Sequence, residues 1–335
     1  DRWVVLGNHR DAWVFGAVDP NSGSAAMLEL GRGFGELLKQ GWKPRRTIIL
    51  CSWDAEEYGL IGSTEWAEEL ANDLKEKAVA YLNLDAAVSG EHFGASSVPS
   101  LWKLMRAATR DLKDPKTGKS VYQQWQDRAR ENRPETEQNT GEARIGALGS
   151  GSDYTPFLQH LGVPSTDMGF NGDYGVYHSA YDSFYWMDHF GDPGFQYHVA
   201  AAQLWGTLAM RLADADGLSL DYTDYARQVR EHFTEAMTLA RVRDLARSVD
   251  EKAMTSAIDD FTKEAERIEK ARQDGVGESN RAKLPKINDA LVQAERQFLD
   301  SRGLRGRAWY KHQIYAPGFY TGYAAQPLTD FRQAL

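Results

Sequence analysis

Three short segments of the chain concentrate histidine and carboxylate side chains, which are common zinc ligands. Residues 8–11 include His9, residues 53–59 include two adjacent glutamates, and residues 83–85 end at Asp85. Each segment follows a run of apolar residues that is typical of a buried strand. Because ligand sites in α/β folds lie at the carboxyl ends of parallel strands, these side chains are predicted to meet in one crevice.

Two further candidates, Asp19 and His178, lie outside these segments. Taken singly, each candidate has an ordinary explanation: a hydrogen-bonded structural histidine, an aspartate that caps the next helix, or, for Glu56 and Glu57, a solvated helix start. Together they provide two histidines and three carboxylates, with one further glutamate. Such nitrogen and oxygen donors suit two zinc ions about 3.5–4 Å apart that share a bridging carboxylate.

The elements that would position these residues alternate between strand and helix patterns. Apolar runs predict strands at residues 4–6, 47–51 and 79–84, and helically spaced apolar residues predict helices at 22–38 and 63–75. This order predicts an α/β fold with a mostly parallel sheet that is flanked by helices.

The remainder of the first two thirds of the chain carries weaker patterns. Residues 114–145 are polar and predict a long loop. Residues 161–168 predict one more strand, and residues 195–212 predict one more helix.

The pattern changes at about residue 217. Apolar residues at spacings of three and four recur over residues 254–268 and again over residues 287–298. Residues 223–300 are therefore predicted to form a helical bundle that follows the α/β domain.

Composition excludes several classes of protein. The 335 residues carry a net charge of −9, and this acidic balance argues against a nucleic-acid partner. The single cysteine, Cys51, rules out an internal disulfide and a cysteine-ligated zinc site. No stretch approaches the roughly 20 apolar residues that cross a bilayer, and the chain contains no secretory signal or N-glycosylation sequon. We expect no membrane segment in this chain.

The motifs at residues 9–13, 19–20, 52–68 and 177–179 resemble those of the M28 zinc peptidases, specifically the glutamate carboxypeptidase II and transferrin receptor-like branch. The likeness extends through the C-terminal helical region to residues 315–317. It implies a zinc exopeptidase-like fold and two zinc ions as cofactors.

The resemblance also implies a domain organisation. Residues 1–216 would form the peptidase domain without its N-terminal part and apical insertion, and residues 217–335 would form a helical dimerisation domain. We therefore expect the C-terminal portion of a longer protein, and a homodimer. The family resemblance favours an extracellular or membrane-associated location.

Carried over residue by residue, the resemblance makes Asp19 the carboxylate that bridges both zinc ions. His9 and Asp85 would complete one zinc site, and Glu57 and His178 would complete the other. This assignment accounts for every metal-type ligand singled out above except one glutamate.

That remaining glutamate, Glu56, would be the general base, which takes a proton from a zinc-bridging water and delivers it to the leaving amine. The hydroxyl of Tyr177 would stabilise the oxyanion of the tetrahedral intermediate. Asp11 would orient the metal ligand His9 from behind.

Peptide substrates would contact Ser150, Gly151, Ser152 and Tyr323, which match substrate-binding positions of the family. At Ser152, glutamate-selective members have an asparagine. The sequence therefore departs from the family within its own substrate site.

Two further departures concern basic residues. Residues 166–169 stand where glutamate-selective members have an arginine pair, and Gly322 stands where they have a lysine. Without these cations nothing attracts an acidic substrate, and Asp167 would repel one. We expect an aminopeptidase or a carboxypeptidase that is not selective for acidic glutamate substrates.

Three alternatives remain open at this stage. Glu65 and Glu68 match calcium-site positions of the family, but they also fit an exposed acidic helix face. The chain could be a non-catalytic receptor or scaffold like the transferrin receptor, although retention of the full ligand set together with Glu56 favours an enzyme. An M28-like enzyme that acts on something other than peptides is the third alternative.

Overall fold

A computed structural model describes residues 2–131, 142–275 and 278–335. One sheet organises the first half of the described chain. Its five strands are β1 (Trp3–His9), β2 (Thr47–Trp53), β3 (Ala78–Asn83), β4 (His92–Ser97) and β5 (Ser165–Asn171). They lie in the order β2-β1-β3-β5-β4, and only β4 runs antiparallel to its neighbour. The predicted α/β fold with a mostly parallel sheet is confirmed.

Helices cover this sheet and form the C-terminal region. They are α1 (Asn21–Lys39), α2 (Ile61–Glu69), α3 (Ala71–Lys77), α4 (Trp102–Asp111), α5 (Val121–Glu131), α6 (Phe184–Trp186), α7 (Gln196–Asp214), α8 (Tyr222–Val242), α9 (Glu251–Gly275), α10 (Leu284–Ala294) and α11 (Thr329–Ala334). Among these described helices, none is both long enough and apolar enough to cross a bilayer.

Strands β1 and β3 form the centre of the core because other elements pack on both faces of the sheet. On one face α7 contacts the sheet, and Trp205 donates a hydrogen bond to the Leu82 carbonyl oxygen at 3.1 Å. On the other face the ring of Phe157 stacks on Tyr81 at 3.9 Å between centroids. Strands buried on both faces require the continuous apolar runs that the sequence shows.

The C-terminal helical region is also confirmed. Helices α8 and α9 pack against each other, and α10 contacts α9. Asp221 is the N-cap of helix α8, and its carboxylate accepts a hydrogen bond from the backbone N–H of Thr223 at 2.8 Å. Its buried stripe includes Tyr225, Val229 and Phe233, which are spaced four residues apart as an amphipathic helix requires.

Two local predictions were wrong. Part of the expected loop at 114–145 is helix α5, because Trp125 on its apolar face packs edge-on against Phe93 of β4 at 4.9 Å; residues 132–141 lie outside the described residues. The strand expected at 161–168 is shifted along the chain and is β5, Ser165–Asn171. Its start is displaced because Gly162 has a φ of +67° and turns the chain before the strand.

Candidate metal centre

The ligand candidates meet at the carboxyl ends of three adjacent strands. His9 is the last residue of β1, Glu56 and Glu57 lie in the loop that follows β2, and Asp85 follows β3 by two residues. Strands β2, β1 and β3 are parallel neighbours, so their carboxyl ends lie at one edge of the sheet. Asp19 reaches the same edge from the residue pair that precedes α1.

The side chains form two groups that share one carboxylate. In the first, Nε2 of His9 lies 2.7 Å from Oδ1 of Asp85 and 3.1 Å from Oδ1 of Asp19. In the second, Nε2 of His178 lies 3.2 Å from the other oxygen of Asp19, Oδ2, and 3.2 Å from Oε2 of Glu57. Each oxygen of Asp19 thus faces a different histidine, as a bridging carboxylate would.

The donor set fits zinc. Two donors about 2.0–2.1 Å from a tetrahedral zinc ion lie about 3.3 Å apart, which matches the separations around Asp19. Oε1 of Glu57 is buried and has no hydrogen-bond partner in the described structure. A buried, unpaired carboxylate is costly unless a cation satisfies it. Among the described residues, no lysine or arginine lines the cavity around these groups, so a metal ion is the cation that suits them.

Without metal, the crowded carboxylates shift one another's protonation. Burial raises the pKa of Glu56 to about 9, with a further contribution from the charge of Asp85. Burial and the nearby Asp19 raise the pKa of Glu57 to about 7. Burial alone would lower the pKa of His9, but the Asp19 and Asp85 carboxylates raise it to about 12. In the metal-free protein, bound protons therefore supply the positive charge that the site needs.

Asp11 supports the site differently from the prediction. Its carboxylate accepts hydrogen bonds from the backbone N–H groups of Glu56 at 3.0 Å and Glu57 at 3.1 Å. Its backbone carbonyl oxygen, rather than its carboxylate, lies 2.9 Å from Nδ1 of His9, and the nearer carboxylate oxygen is 3.6 Å away. One residue thus fixes both the histidine ring and the loop that presents the two glutamates.

Two further positioning residues are not singled out by the sequence. Nδ2 of Asn8 donates hydrogen bonds to the carbonyl oxygens of Leu84 at 2.9 Å and Asp85 at 3.1 Å, which joins β1 to the chain after β3. The carboxylate of Asp182 accepts from the backbone N–H groups of Val18 and Asp19. The position of Asn8 next to the predicted ligand His9 is a sequence signal for Asn8, and no comparable signal points to Asp182.

The two residues expected to take part in the reaction both face the metal centre. Oε2 of Glu56 lies 4.0 Å from Nε2 of His9. The ring of Tyr177 stacks on that of His178 at 3.6 Å, and 53% of the tyrosine is exposed. Burial of the phenol and the Asp19 carboxylate raise the pKa of Tyr177. Its hydroxyl therefore keeps its proton at neutral pH and can donate a hydrogen bond.

Above the metal-type ligands lies a cavity of about 810 Å³. Ser150, Gly151 and Tyr323, which are predicted to contact substrate, line this cavity. Ser152 does not line it; the serine is 1% exposed, and its hydroxyl accepts a hydrogen bond from Nδ2 of Asn83 at 2.9 Å. The indole of Trp13, which is not among the predicted site residues, also forms part of the wall.

The structure does not decide whether Glu65 and Glu68 belong to a calcium site. Glu65 and Glu68 are exposed on α2, and Glu68 accepts a hydrogen bond from the indole N–H of Trp309 at 2.6 Å. Neither residue belongs to the two metal-type groups found among the described residues.

A larger cavity, of about 930 Å³, lies between the sheet domain and α8. Several of its charged side chains are paired, as Arg106 is with Glu142 at 2.8 Å and Arg332 is with Glu235 at 2.8 Å. Because this cavity contains neither ligand group, we place the functional site in the smaller cavity.

Comparison with known proteins agrees with this geometry. Residues 1–191 match the profile described as "Peptidase family M28", and residues 249–335 match "Transferrin receptor-like dimerisation domain". The second match lies within the predicted dimerisation domain, but neither match tests the boundary at residue 217.

Related sequences cover the whole chain. A "Probable glutamate carboxypeptidase LAMP1" from Arabidopsis thaliana is 45% identical over 100% of this chain and 47% of its own length. A "Probable glutamate carboxypeptidase" from Arthroderma benhamiae is 42% identical over 100% of this chain and 46% of its own. "Aminopeptidase NAALADL1" from Mus musculus is 36% identical over 95% of this chain and 44% of its own.

The chain thus spans about half the length of the curated relatives it matches. The match to the M28 profile nevertheless covers more than half of the chain and includes every ligand candidate of the metal centre. This chain belongs to peptidase family M28.

Proposed function

We propose that the chain is the catalytic part of a two-zinc exopeptidase in which Glu56 is the general base. The proposal rests on one observation: the two oxygens of Asp19 face different histidines, His9 at 3.1 Å and His178 at 3.2 Å, and Glu56 lies 4.0 Å from His9 at the edge of the cavity. His9, Asp85 and Asp19 would hold one zinc ion, and His178, Glu57 and Asp19 the other.

Bound zinc would polarise the scissile carbonyl and make a nearby water acidic. Glu56 would accept the proton of that water and pass it to the nitrogen of the leaving amine. The hydroxyl of Tyr177 would donate a hydrogen bond to the carbonyl oxygen as negative charge develops there. Asp11 would hold the backbone of Glu56 so that its carboxylate meets the water in the required orientation.

We further propose that acidic glutamate substrates are poor ones. In the part of the chain that the structure describes, no lysine or arginine lines the cavity above the metal centre, so no described side chain there would pair with a second carboxylate of the substrate. N-acetyl-Asp-Glu should be cleaved much more slowly than peptides of neutral residues. Cleavage at comparable rates would contradict this part of the proposal.

Two measurements test the catalytic proposal. Protein purified without chelator should contain about two zinc ions per chain, and Glu56→Gln should lower kcat by roughly 100- to 10,000-fold on a peptide library. Asp54→Asn is the matched control, because Asp54 is an exposed acid of the same loop that pairs with Arg10. Less than one zinc per chain, or a Glu56→Gln variant as fast as wild type, would exclude the mechanism.

The match to a transferrin receptor-like dimerisation domain favours association of two copies of the chain. The same match is the reason why a non-catalytic receptor role is the alternative function. We propose that residues 217–335 form a homodimer. Light scattering at micromolar concentration should give twice the mass of the chain. Failure of the zinc-loaded protein to hydrolyse any member of the peptide library would favour the receptor alternative.

A further inference from the structure

A second cavity adjoins the metal centre. It has a volume of about 410 Å³ and shares Asp19, Asp85 and Tyr177 with the main cavity. The metal-type ligands therefore lie between two spaces. Glu56 lines only the main cavity. Because Glu56 would protonate the leaving amine, that side of the substrate would lie in the main cavity, and the acyl side would enter the second one.

The second cavity contains an acidic group that belongs to neither ligand group. Asp167, on β5, lines it, and Oδ1 of this carboxylate accepts a hydrogen bond from Nδ2 of Asn83 at 3.0 Å. None of the residues that line the cavity is a lysine, arginine or histidine. Among the described residues, the carboxyl group of Asp167 thus has no basic partner inside the cavity.

The rest of the lining suits a long, flexible side chain. Ala86 adds a small apolar side chain, Gly94 and Gly169 add no bulk, and Ser96 and Asn171 are polar. Lysine and arginine bury their methylene groups along apolar surface while their charged ends reach a polar group. The cavity thus combines a lining of small side chains with a single carboxylate that belongs to neither ligand group.

We propose that Asp167 selects substrates with a cationic group on the acyl side of the scissile bond. This inference rests on the proposed function. The cation is an ammonium or guanidinium group, which either a lysine or arginine side chain or a free α-amine can supply. A charge-assisted hydrogen bond to Asp167 should raise kcat/KM roughly 10- to 100-fold over a neutral residue of similar size, and a glutamate there should be disfavoured.

The test compares peptides that differ only at the acyl-side residue X. X-Leu and X-Leu amide are prepared with X as lysine, arginine, norleucine or glutamate, each with a free or acetylated N-terminus. Lysine against norleucine in the acetylated series reports on the side chain. Free against acetylated norleucine reports on the α-amine. We expect a cation preference from one of these sources in the wild type, and its loss in Asp167→Asn.

The readout is the ratio of kcat/KM between cationic and neutral substrates, so a general loss of activity in the variant does not affect it. Asp188→Asn is the control, since it removes an exposed carboxylate that lines neither cavity. A wild type without a cation preference, or an unchanged preference in Asp167→Asn, would overturn the inference.

A binding measurement separates this inference from the catalytic proposal. Calorimetry on the zinc-loaded Glu56→Gln variant should show tighter binding of N-acetyl-Lys-Leu than of N-acetyl-norleucyl-Leu, and the difference should vanish when Asp167→Asn is added. If no peptide is hydrolysed by the wild type, the catalytic proposal fails, and the binding preference still decides the role of Asp167. Equal binding of these two ligands by Glu56→Gln, together with equal binding of norleucyl-Leu with a free and with an acetylated N-terminus, would overturn the inference alone.

Discussion

Two buried polar clusters, one at the metal centre and one in the C-terminal region, satisfy their carboxylates in opposite ways. Glu295 is 0% exposed and accepts hydrogen bonds from the Tyr225 hydroxyl at 2.7 Å and from Nε2 of His312 at 3.1 Å. Because Nδ1 of His312 accepts from backbone N–H groups, Nε2 must carry the proton. At the metal centre, by contrast, Oε1 of Glu57 is buried without a partner.

The difference separates structure from function. The Glu295 cluster is complete within the chain, so its energy contributes to folding. The metal centre is incomplete within the described part of the chain, because Oε1 of Glu57 has no partner there and no described lysine or arginine lines the cavity. A buried carboxylate left unpaired in this way indicates a ligand, whereas a paired one indicates packing.

The largest expected effect is at the shared ligand. Asp19→Ala removes a donor from both groups and should lower kcat/KM roughly a thousandfold or more, since metal-ion catalysis contributes several kcal/mol. Zinc content, measured on the purified protein, should fall below one ion per chain. The unfolding free energy of the metal-free protein should change little, because a poorly satisfied buried carboxylate is lost. Retention of two zinc ions would show that Asp19 does not bridge them.

The opposite result is expected at the C-terminal cluster. Glu295→Ala leaves the Tyr225 hydroxyl and the His312 ring without their buried acceptor and should lower the free energy of unfolding by about 3 kcal/mol. Urea denaturation measures this loss, and zinc content should not change. Glu264→Ala on α9 is the control, because Glu264 is exposed and its removal should cost no more than about 0.5 kcal/mol. Loss of zinc from Glu295→Ala would erase the distinction between the two clusters.

A smaller effect is expected at the residue that supports the glutamate loop. In Asp11→Asn the side chain keeps one acceptor oxygen and turns its amide NH2, a donor, towards a backbone N–H that needs an acceptor. Zinc affinity should fall roughly 10- to 100-fold, as for other residues that orient metal ligands. Competition with a chelator measures the change. An unchanged affinity would mean that the loop holds its position without this carboxylate.

Part of the ligand set could be predicted from strand ends, and the resemblance to the family supplied Asp19 and His178, which do not follow a strand directly. His9 and Asp85 follow continuous apolar runs that leave little doubt about the strands. The supporting contacts could not be predicted. Asp182 bonds to the backbone of Asp19 across more than 160 residues, and nothing local in the sequence encodes that approach.

The wrong predictions have a similar cause. Strand β4 contains one large apolar residue, Phe93, among small and polar ones, so its pattern is too weak to indicate a strand. Helix α5 is largely polar and depends on contacts of Trp125 with that strand. The position of Ser152 beneath the cavity depends on its hydrogen bond with Asn83 on β3. Elements that depend on residues distant in the sequence cannot be predicted from the local sequence pattern.

The last prediction concerns how the stability of the zinc-free protein depends on pH, because the carboxyl groups of the metal centre have raised pKa values. In the zinc-free protein, burial raises the pKa of Glu56 from 4.5 to about 9 and that of Glu57 from 4.5 to about 7. The folded state therefore binds more protons than the unfolded state above pH 4.5, and stability falls as pH rises towards 9. The raised pKa of His9 acts in the same direction above pH 6.5.

Melting temperatures of the zinc-free protein should thus decrease from pH 5 to 9. Zinc competes with these protons, so the zinc-loaded protein should lose less stability over the same range. A zinc-free protein that gains stability with rising pH would contradict the account of unpaired carboxylates at this centre.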